Sequence, residues 1–480
     1  MALTKKAIQG AGWAVAGGYA SQFLSFAMFV VISRMVGPAA FGTVAIAIAL
    51  VELSRAISTE NVAGNLVARG NFDADAFNAG FAWTMGSSVL ICLLLTLLAP
   101  WLATIFHAPD LQHVLPEVSL IMIAYGASRL QEARLVQQMR FRSLALRSIS
   151  AALIGGFVGI FAARAGLGVT ALVLQQWTGA AISAVLLWVA SDWRPSWRFS
   201  RQNFIELHRA SLALAPAGLI TNLSMMIDGV AVATFAGPVA TGIYNLGKRV
   251  RLAMQLALTS GLNRVSLPTF AQVRAHPEIL ANTLREALSV SCIIVFPVFF
   301  GLAAIGPELI DVFLGPEWAG AAAPMALLLI GGALTIATSY AENVLLVLEH
   351  RKWIVMSRLL LLLVMAAGLV MFGRLGPTAI AATSLAATVV QHIVSLSLTA
   401  RIAKFPLRNY LTAVGAPLLL SIVMFAALTG LRQLVSQDHL SANFRLPMQI
   451  LAGTAFYLSM TWIVSRAHVT ALFNAARAAR

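Results

Sequence analysis

Three positively charged residues, Lys248, Arg249 and Arg251, interrupt an apolar stretch and are the first candidates for chemistry. In a helix, Lys248 and Arg251 lie about 60° apart and share one face, with Arg249 beside it. A charge at bilayer depth costs a few kcal/mol and usually faces a cavity or a partner. The pattern therefore predicts a cationic patch for an anionic headgroup such as a diphosphate. The alternative is that this membrane span is shorter or shifted and that these cations mark its cytoplasmic end.

Five further charges fall within apolar stretches nearer the N-terminus. Glu52 and Arg55 are three residues apart, as are Arg129 and Glu132, so each pair can meet on one helix face. For these residues an ion pair is one interpretation, and a gating or substrate-binding role is the other. Arg34 lies near the outer end of the first stretch, where long cations ordinarily extend to the lipid headgroups. Arg55 and Arg34 are nevertheless added to the predicted cavity residues.

Asp228 is an acid well inside the seventh apolar stretch. It can pair with a cation of the following stretch, or take up a proton during transport. Asn61, Asn222 and Asn343 can bond sugar hydroxyls, although such residues commonly bond neighbouring helices instead.

The elements that must position these residues are membrane helices. The chain of 480 residues is 59% hydrophobic and 11% charged, with a mean hydropathy of +0.84. A soluble protein carries about 25% charged residues. Apolar stretches of about 20 residues, enough to cross hydrocarbon as a helix, recur along the whole chain. We predict fourteen spans, at 13–35, 42–62, 80–106, 115–135, 148–165, 168–190, 212–236, 240–262, 287–313, 322–346, 355–373, 377–400, 411–432 and 447–466.

The positive charges indicate the orientation of these spans. With the N-terminus in the cytoplasm, five arginines fall on the outer side, and all other Lys and Arg fall on or near the inner side. The outer turns around 107–117 and 306–318 carry acids but no Lys or Arg. Both termini are therefore predicted to be cytoplasmic.

Sequence phrases recur at a separation of 200 to 210 residues. RMVGPAAFGTVAIAI (34–48) returns as TFAGPVATGIYNLGK (234–248), and TIFHAPDLQHVLP (104–116) as DVFLGPEWAGAAAP (311–324). Six helices per repeat is an even number, so the repeats are expected to be related by a pseudo-twofold axis along the membrane normal. We predict an all-α integral membrane protein with six-helix bundles over 1–200 and 201–405 and two extra helices over 406–480.

Several classes of function lack their motifs. Cys92 and Cys292 fit no ligand spacing, and no phosphate-binding loop or catalytic motif is present, so we expect no metal, no cofactor and no enzymatic activity. The net charge of +15 is explained by membrane topology, and no nucleic-acid partner is predicted.

The ordered phrases resemble the polysaccharide transporters, the lipid-linked oligosaccharide or O-antigen flippases of the multidrug/oligosaccharidyl-lipid/polysaccharide superfamily. The similarity covers about 5–405, and its most specific phrases are DWRPSWRFS (192–200) and VFLGPEWAGAAAPM (312–325). The resemblance implies two helix bundles around a cavity lined by spans one, two, seven and eight. It implies transport of undecaprenyl-diphosphate-linked oligosaccharides from the cytoplasmic to the periplasmic leaflet of the bacterial inner membrane, for exopolysaccharide or lipopolysaccharide synthesis. Polysaccharide polymerase and export machinery would be partners, beside membrane lipids.

Three alternatives stay open at this point. A multidrug cation antiporter of the same superfamily would need acids in its lumen, and the deep acids here are few. A lipid II flippase would carry a similar anionic diphosphate. A membrane glycan polymerase or ligase would need a sizeable outer loop, and the longest predicted here is about 433–446.

Overall fold

The computed structural model describes residues 2–70, 72–434 and 442–464, with side chains described for all of these except 2–9, 11, 56–57, 210–223, 225, 259–265, 442 and 464. Within these residues the chain is helical and contains no strand. The helices are α1 (Ala2–Ser58), α2 (Glu60–Ala68), α3 (Ala74–Ile105), α4 (Leu111–Ser119), α5 (Ile121–Gln137), α6 (Phe141–Arg164), α7 (Val169–Ala190), α8 (Arg201–Val273), α9 (Pro277–Ala304), α10 (Gly306–Phe313), α11 (Ala322–Val347), α12 (Arg351–Phe372), α13 (Pro377–Ile402), α14 (Leu407–Leu434) and α15 (Ala442–Val464).

Ten helices of the described chain are long and apolar enough to cross a membrane. The apolar part of α1, Gly12–Arg55, has 44 residues, or about 66 Å of helix, which is more than twice the hydrocarbon thickness. The all-α membrane fold predicted from the sequence is confirmed, whereas the count of fourteen spans stays a prediction. Residues 465–466 of the last predicted span and 435–441 of the predicted outer loop lie outside the described chain.

The predicted breaks between spans one and two, and between spans seven and eight, are present as kinks. The backbone is non-helical at Gly37 (φ 77°) in α1 and at Gly237 (φ 74°) in α8, so each of these long elements consists of two helical segments joined at a glycine. Glycine accepts this positive φ, and the proline that follows it fits the first position of a new helical segment. The chain therefore bends at these dipeptides without leaving the helix for a loop.

Two other predicted spans are divided instead of joined. The predicted span 115–135 is interrupted at Leu120, between α4 and α5, and the predicted span 287–313 is interrupted at Ile305, between α9 and α10. Short apolar helices at the ends of spans carry the same composition as the spans, so hydropathy alone did not separate them.

The backbone repeats with the sequence. The chain adopts a positive φ at four pairs of positions that are 200 to 210 residues apart: Gly37 and Gly237, His107 and Gly315, Met139 and Glu349, and Gly168 and Gly376. The same hydrogen bond closes the equivalent turns, since Arg140 N–H donates to Leu135 C=O (2.9 Å) and His350 N–H to Leu345 C=O (2.8 Å). These matches support the predicted repeat, and the axis that relates its copies stays a prediction.

The chain packs as two compact units, Met1–Asn245 and Leu246–Arg480. In the first unit α6 packs on both α1 and α7, and α3 packs on α4 and α5. In the second unit α9 packs on α11 and α14, and α13 packs on α11 and α12. The predicted boundary between the two six-helix bundles, after residue 200, was drawn from the sequence repeat, whereas the packing units divide after Asn245. The predicted bundle boundary stays a prediction.

The two kinked helices cross within the first unit at a pair of glycines. A β-carbon on Gly42 would overlap the carbonyl of Pro238, and one on Gly242 would overlap the carbonyl of Pro38. The contact is reciprocal, because each glycine meets the proline of the other kink. Only glycine allows the backbones to approach this closely.

The two most specific phrases of the sequence form anchored connections. In DWRPSWRFS, Trp193 is buried against Phe77 and Phe81, and Asn78 accepts from Ser196 N–H (3.0 Å). In GPEW, Trp318 is buried, and it follows Gly315, whose φ is 97°. Both phrases therefore fix the ends of helices.

The loop that follows α7 also carries a charged contact outside the membrane spans. Arg134 donates to both carboxylate oxygens of Asp192 (3.2 Å each), and Gln138 donates to one of them (2.7 Å). The hydrogen bond from Arg134 is the main reason that the pKa of Asp192 lies below its usual value. The two native cysteines, Cys92 and Cys292, are both buried and form no disulfide.

Candidate functional site

The cationic cluster, defined as Lys248, Arg249 and Arg251, lies on α8 beyond its kink. All three side chains are partly exposed. Helix α8 continues to Val273, which is 22 residues or about 33 Å beyond Arg251, so the cluster does not mark the end of a helix. The apolar part of this helix, Met226–Leu258, includes the cluster. The helix therefore does not stop at the cations, and the depth of the cluster in the membrane stays a prediction.

Helix α11 packs closely against the helix face that carries Arg251. A β-carbon on Gly247 would lie 2.8 Å from the Cα of Met325, and one on Gly332 would lie 2.9 Å from the Cγ of Arg251. The aliphatic part of Arg251 therefore rests on a glycine of α11, and its Nε is buried without a hydrogen-bond partner among the described residues. This packing directs the guanidinium and restricts its movement.

A turn further along, the contact between the two helices becomes polar. Gln255 donates to the Oγ1 of Thr335 (2.9 Å), and Thr335 donates in turn to the Gly332 carbonyl (2.9 Å). Leu252, which follows the cluster, is 46% exposed. The cluster thus sits where a packed face of α8 meets an exposed one.

The second group of predicted residues belongs to a larger ion-pair network in the first unit. We call it the six-residue network: Glu52, Arg55, Glu60, Arg129, Glu132 and Arg147. Arg55 pairs with Glu52 (2.7 Å) and Glu60 (3.6 Å). Arg129 pairs with Glu60 and, at 2.8 Å, with Glu132.

The remaining contacts of the network join further helices. Arg147 of α6 pairs with Glu132 of α5 at 3.3 Å. The guanidinium of Arg55 lies 5.0 Å from the centre of the Tyr125 ring. The six side chains are between 19% and 34% exposed, and their three positive and three negative formal charges cancel. Arg55 is therefore part of a neutral network.

The sequence identified only part of this network. It predicted the two pairs within single helices, Glu52 with Arg55 and Arg129 with Glu132, and both are present. It did not predict Glu60, Arg147 or Tyr125. These lie on α2, α6 and α5, and only the packing of the helices brings them to the two local pairs.

The repeat preserves one ion pair of the network. Glu342, which is 210 residues after Glu132, pairs with Arg358 at 3.0 Å and also accepts from Gln391 (3.3 Å). In both copies of the repeat, an acid of one helix (α5 or α11) is paired with an arginine of the next helix (α6 or α12). This recurrence supports a structural role for Glu132.

Asp228 is buried and is hydrogen-bonded to a tyrosine across the kink of α8. The hydroxyl of Tyr244 donates to Asp228 Oδ2 (2.8 Å), and the backbone N–H of Gly229 donates to Oδ1 (2.7 Å). The kink at Gly237 lies between the two residues and brings them together. The sequence pattern indicates a cation or a proton as the partner of this acid, and it gives no sign of the tyrosine.

The other predicted residues lie apart from these groups. Arg34 is exposed, three residues before the kink of α1. Asn343 donates to the hydroxyl of Ser266 (3.0 Å), so it bonds a neighbouring helix. The side chain of Asn222 lies outside the described residues. Among the residues searched, no group of three or more His, Cys, Asp or Glu is placed to hold a metal ion.

The comparison with protein families decides the classification. The model for polysaccharide biosynthesis proteins matches residues 31–323, more than half of the chain. The chain belongs to this family. The match includes the kinks of α1 and α8, the six-residue network and the cationic cluster, and it confirms the family resemblance predicted from the sequence.

Curated relatives of this family member come from several polysaccharide systems. The succinoglycan biosynthesis transport protein ExoT of Rhizobium meliloti is 24% identical over 70% of this chain and 68% of its own length. The lipopolysaccharide biosynthesis protein WzxC of Escherichia coli is 22% identical over 70% of this chain and 68% of its own length. The teichuronic acid biosynthesis protein TuaB of Bacillus subtilis is 21% identical over 78% of each chain.

Solved structures confirm the transporter fold of this family member. The lipid II flippase MurJ, in an inward closed conformation, matches with a TM-score of 0.76 at 13% identity, over 95% of this chain and 99% of that one. An inward-facing multidrug resistance transporter of the MATE family, in the MOP superfamily, matches with a TM-score of 0.54 at 13% identity. This match covers 83% of the present chain and 94% of the transporter. The chain is thus a multi-pass membrane protein with the fold of this superfamily.

Proposed function

We propose that this protein is a flippase for undecaprenyl-diphosphate-linked oligosaccharides in exopolysaccharide or lipopolysaccharide synthesis. It moves the headgroup from the cytoplasmic to the periplasmic leaflet of the bacterial inner membrane by alternating access, with both termini in the cytoplasm. No covalent bond is made or broken in this step. The lipid-linked oligosaccharide in the periplasmic leaflet is then available to polysaccharide polymerase and export machinery.

The observation that carries this proposal is the cationic cluster within the apolar part of α8, Met226–Leu258. Three cations within four positions of α8 give this helix a local excess of positive charge in a low-dielectric environment, where a diphosphate is strongly attracted. Arginine suits this role because its planar guanidinium donates two parallel hydrogen bonds to phosphate oxygens. The sugar crosses with the diphosphate, while the lipid tail stays in the hydrocarbon.

The kinks supply the conformational element that alternating access requires. α1 and α8 bend at Gly37 and Gly237, and each helix has one arm on either side of its kink. Rotation about the backbone of a glycine changes the angle between two arms at low energetic cost. The cluster lies on the second arm of α8, so a change in this kink moves the cations with it.

The ion pairs favour an anionic cargo over the cationic cargo of a multidrug antiporter. An antiporter needs acids that exchange a cation for a proton or sodium ion. Glu52 is paired with Arg55, and Asp228 accepts from Tyr244. These deep acids are therefore already bound by partners within the protein.

The proposal is tested by removing the two arginines of the cluster. The variant Arg249→Ala/Arg251→Ala is expected to lose polysaccharide export while the amount inserted in the membrane stays at the wild-type level. Each charged hydrogen bond contributes about 1.5–3 kcal/mol, so each substitution reduces transport by about tenfold or more. Export is measured by capsule or lipopolysaccharide gels in a strain that lacks the native gene.

A matched control removes two exposed cations elsewhere. Arg351 and Lys352 begin α12 and are both exposed, and Arg351→Ala/Lys352→Ala is expected to leave export unchanged. Wild-type export by the cluster variant would refute the proposed site. A requirement of the gene for growth without any polysaccharide defect would favour the lipid II alternative. Glycan polymerisation by the purified protein would favour the polymerase alternative.

A further inference from the structure

A cavity in the second unit is lined by two arginines that the proposed transport step does not use. Its volume is about 390 Å³, and its lining consists of Arg285 from α9 with Arg408, Asn409, Thr412 and Ala413 from α14. Pockets of roughly 300 Å³ and above are large enough to hold a small ligand. Two guanidinium groups, a carboxamide and a hydroxyl can all donate hydrogen bonds, so the lining suits an oxyanion.

The two arginines lack the protein partners that comparable arginines of the same unit have. Arg358 is paired with Glu342, and Arg432 with Glu308. Among the residues that the structure describes, neither Arg285 nor Arg408 forms an ion pair or a side-chain hydrogen bond.

Arg285 also has a buried donor that an incoming ligand can satisfy. Its Nε is inaccessible and has no hydrogen-bond acceptor in the part of the chain that the structure describes. A buried donor without an acceptor costs about 1–3 kcal/mol, so an incoming anion would relieve this cost.

The sequence around the cavity keeps it positive. Helix α14 contains no acid between Leu407 and Leu434, and the segment before it carries Arg401 and Lys404. The acid beside Arg285 is Glu286, whose side chain is exposed. Arg408 and Asn409 occupy the first turn of α14, where the backbone dipole adds a favourable potential for an anion.

The surface beside the cavity is apolar. Leu407 and Leu411, on the same turns of α14 as Arg408, are 57% and 58% exposed. Arg285 and Arg408 both lie near the start of apolar helices that cross the membrane, so the cavity lies at an edge of the bilayer. An anion held there by arginines, next to exposed leucines, has the chemistry of a lipid phosphate.

We propose that Arg285 and Arg408 form a binding site for a phosphate group at the membrane interface, and that this phosphate is carried by an anionic membrane lipid. The site does not depend on the proposed cargo or on the cationic cluster. Bound lipid would connect α9 and α14 through the two arginines and stabilise the second unit.

The test uses the full-length protein, purified in neutral detergent and placed in phosphatidylcholine nanodiscs with or without phosphatidylglycerol. Native mass spectrometry and thermal unfolding are measured for the wild type, for Arg285→Ala/Arg408→Ala and for the control Arg351→Ala/Lys352→Ala. Phosphatidylglycerol is expected to bind the wild type and the control and to raise their unfolding temperature. Its affinity for the double variant is expected to fall at least tenfold.

Two further measurements keep the result decisive. Arg408→Ala alone, at an exposed position, is expected to lose affinity severalfold, and it serves if the double variant does not fold. Inorganic phosphate and pyrophosphate are titrated in the same assay. If these two anions bind the wild type as tightly as the lipid does, and the variants lose this binding, the phosphate site is supported, with a soluble phosphate and not a lipid as its ligand. Wild-type lipid binding by the variants, or no binding of any phosphate probe, would overturn the proposal.

Discussion

At the scale of residues, two groups of charged side chains in this protein differ in their balance of charge. The six-residue network is neutral, and each of its arginines has at least one carboxylate within 3.6 Å. The cationic cluster has three positive charges within four positions. A neutral network holds helices together, whereas a local excess of one charge attracts a ligand of the opposite charge. We therefore assign the network mainly to structure and propose that the cluster contacts the cargo.

Glu60 is the residue whose loss should test the structural role. It accepts from Arg129 and also pairs with Arg55, so Glu60→Gln leaves both arginines with one carboxylate fewer. Since the groups are about a third exposed, we expect a loss of about 1 kcal/mol in the free energy of unfolding. The thermal midpoint of a fluorescent fusion in detergent measures this change.

An exposed pair of the same type provides the control. Arg69 and Glu206 pair at 2.9 Å, and Glu206 is 58% exposed. Glu206→Gln is expected to change stability by less than about 0.5 kcal/mol. Equal effects of the two substitutions would argue against a special role for the network.

At the scale of elements, the kinked helices combine a bend with a close crossing. Gly37 and Gly237 supply the bends, and Gly42 and Gly242 supply the contact with the opposite proline carbonyl. The distance along the helix from bend to crossing is five residues in each copy, because the repeat preserves both glycines. The crossing therefore holds α1 and α8 together at one point, close to the kink of each helix.

Gly42→Ala is expected to disrupt this crossing. The new β-carbon would overlap the Pro238 carbonyl, and a backbone atom cannot rotate away as a side chain can. We expect the variant to lose most of its export activity and to unfold at a lower temperature, by both export assay and fluorescence-detected thermal melting.

Gly86 offers a matched control within the same unit. It lies in α3, is exposed, and has no atom near the position of an added β-carbon. Gly86→Ala is expected to be neutral or to stabilise the helix by about 0.5–1 kcal/mol. If Gly42→Ala behaves in the same way, the crossing is not required.

The sequence predicted features that depend on local pattern, and not those that depend on packing. The paired Gly-Pro phrases and the local pairs such as Glu52 with Arg55 are set by spacing along one helix. The sequence predicted a break at each Gly-Pro dipeptide but not whether a loop or a kink forms there, because a proline at the first position of a helix fits a loop end and a kink equally. Tyr244 reaches Asp228 only because of such a kink.

At the scale of the whole molecule, two copies of one helix pattern are followed by α14 and α15. The second unit holds these two helices by polar contacts: Arg432 forms an ion pair with the buried Glu308 (3.2 Å), Gln449 donates to Glu308, and Tyr457 donates to the Ile293 carbonyl. The additional helices are therefore bound to α9 and α10 by an ion pair and hydrogen bonds as well as by apolar packing.

The predicted orientation of the molecule can be tested with reporter fusions. Positive charges are concentrated in the loops assigned to the cytoplasm, and such loops resist translocation. Alkaline phosphatase fused after Asp110 is expected to be active, and a green fluorescent protein fused after Ser196 is expected to fluoresce. An inactive phosphatase together with a non-fluorescent fusion would reverse the predicted topology. Fusions that place Asp110 and Ser196 on the same side of the membrane would contradict the odd number of spans, three, predicted between them.

The burial of both native thiols has a practical consequence for following transport. Cys92 and Cys292 are the two cysteines of the chain, and the hydrocarbon-packed interior shields both from water-soluble maleimides. The native cysteines therefore need not be replaced before a probe is attached to an introduced cysteine. One cysteine introduced at Arg34, or at Lys248 in the cluster, would react alone, and its labelling rate with and without cargo would report when that position becomes accessible from either side of the membrane.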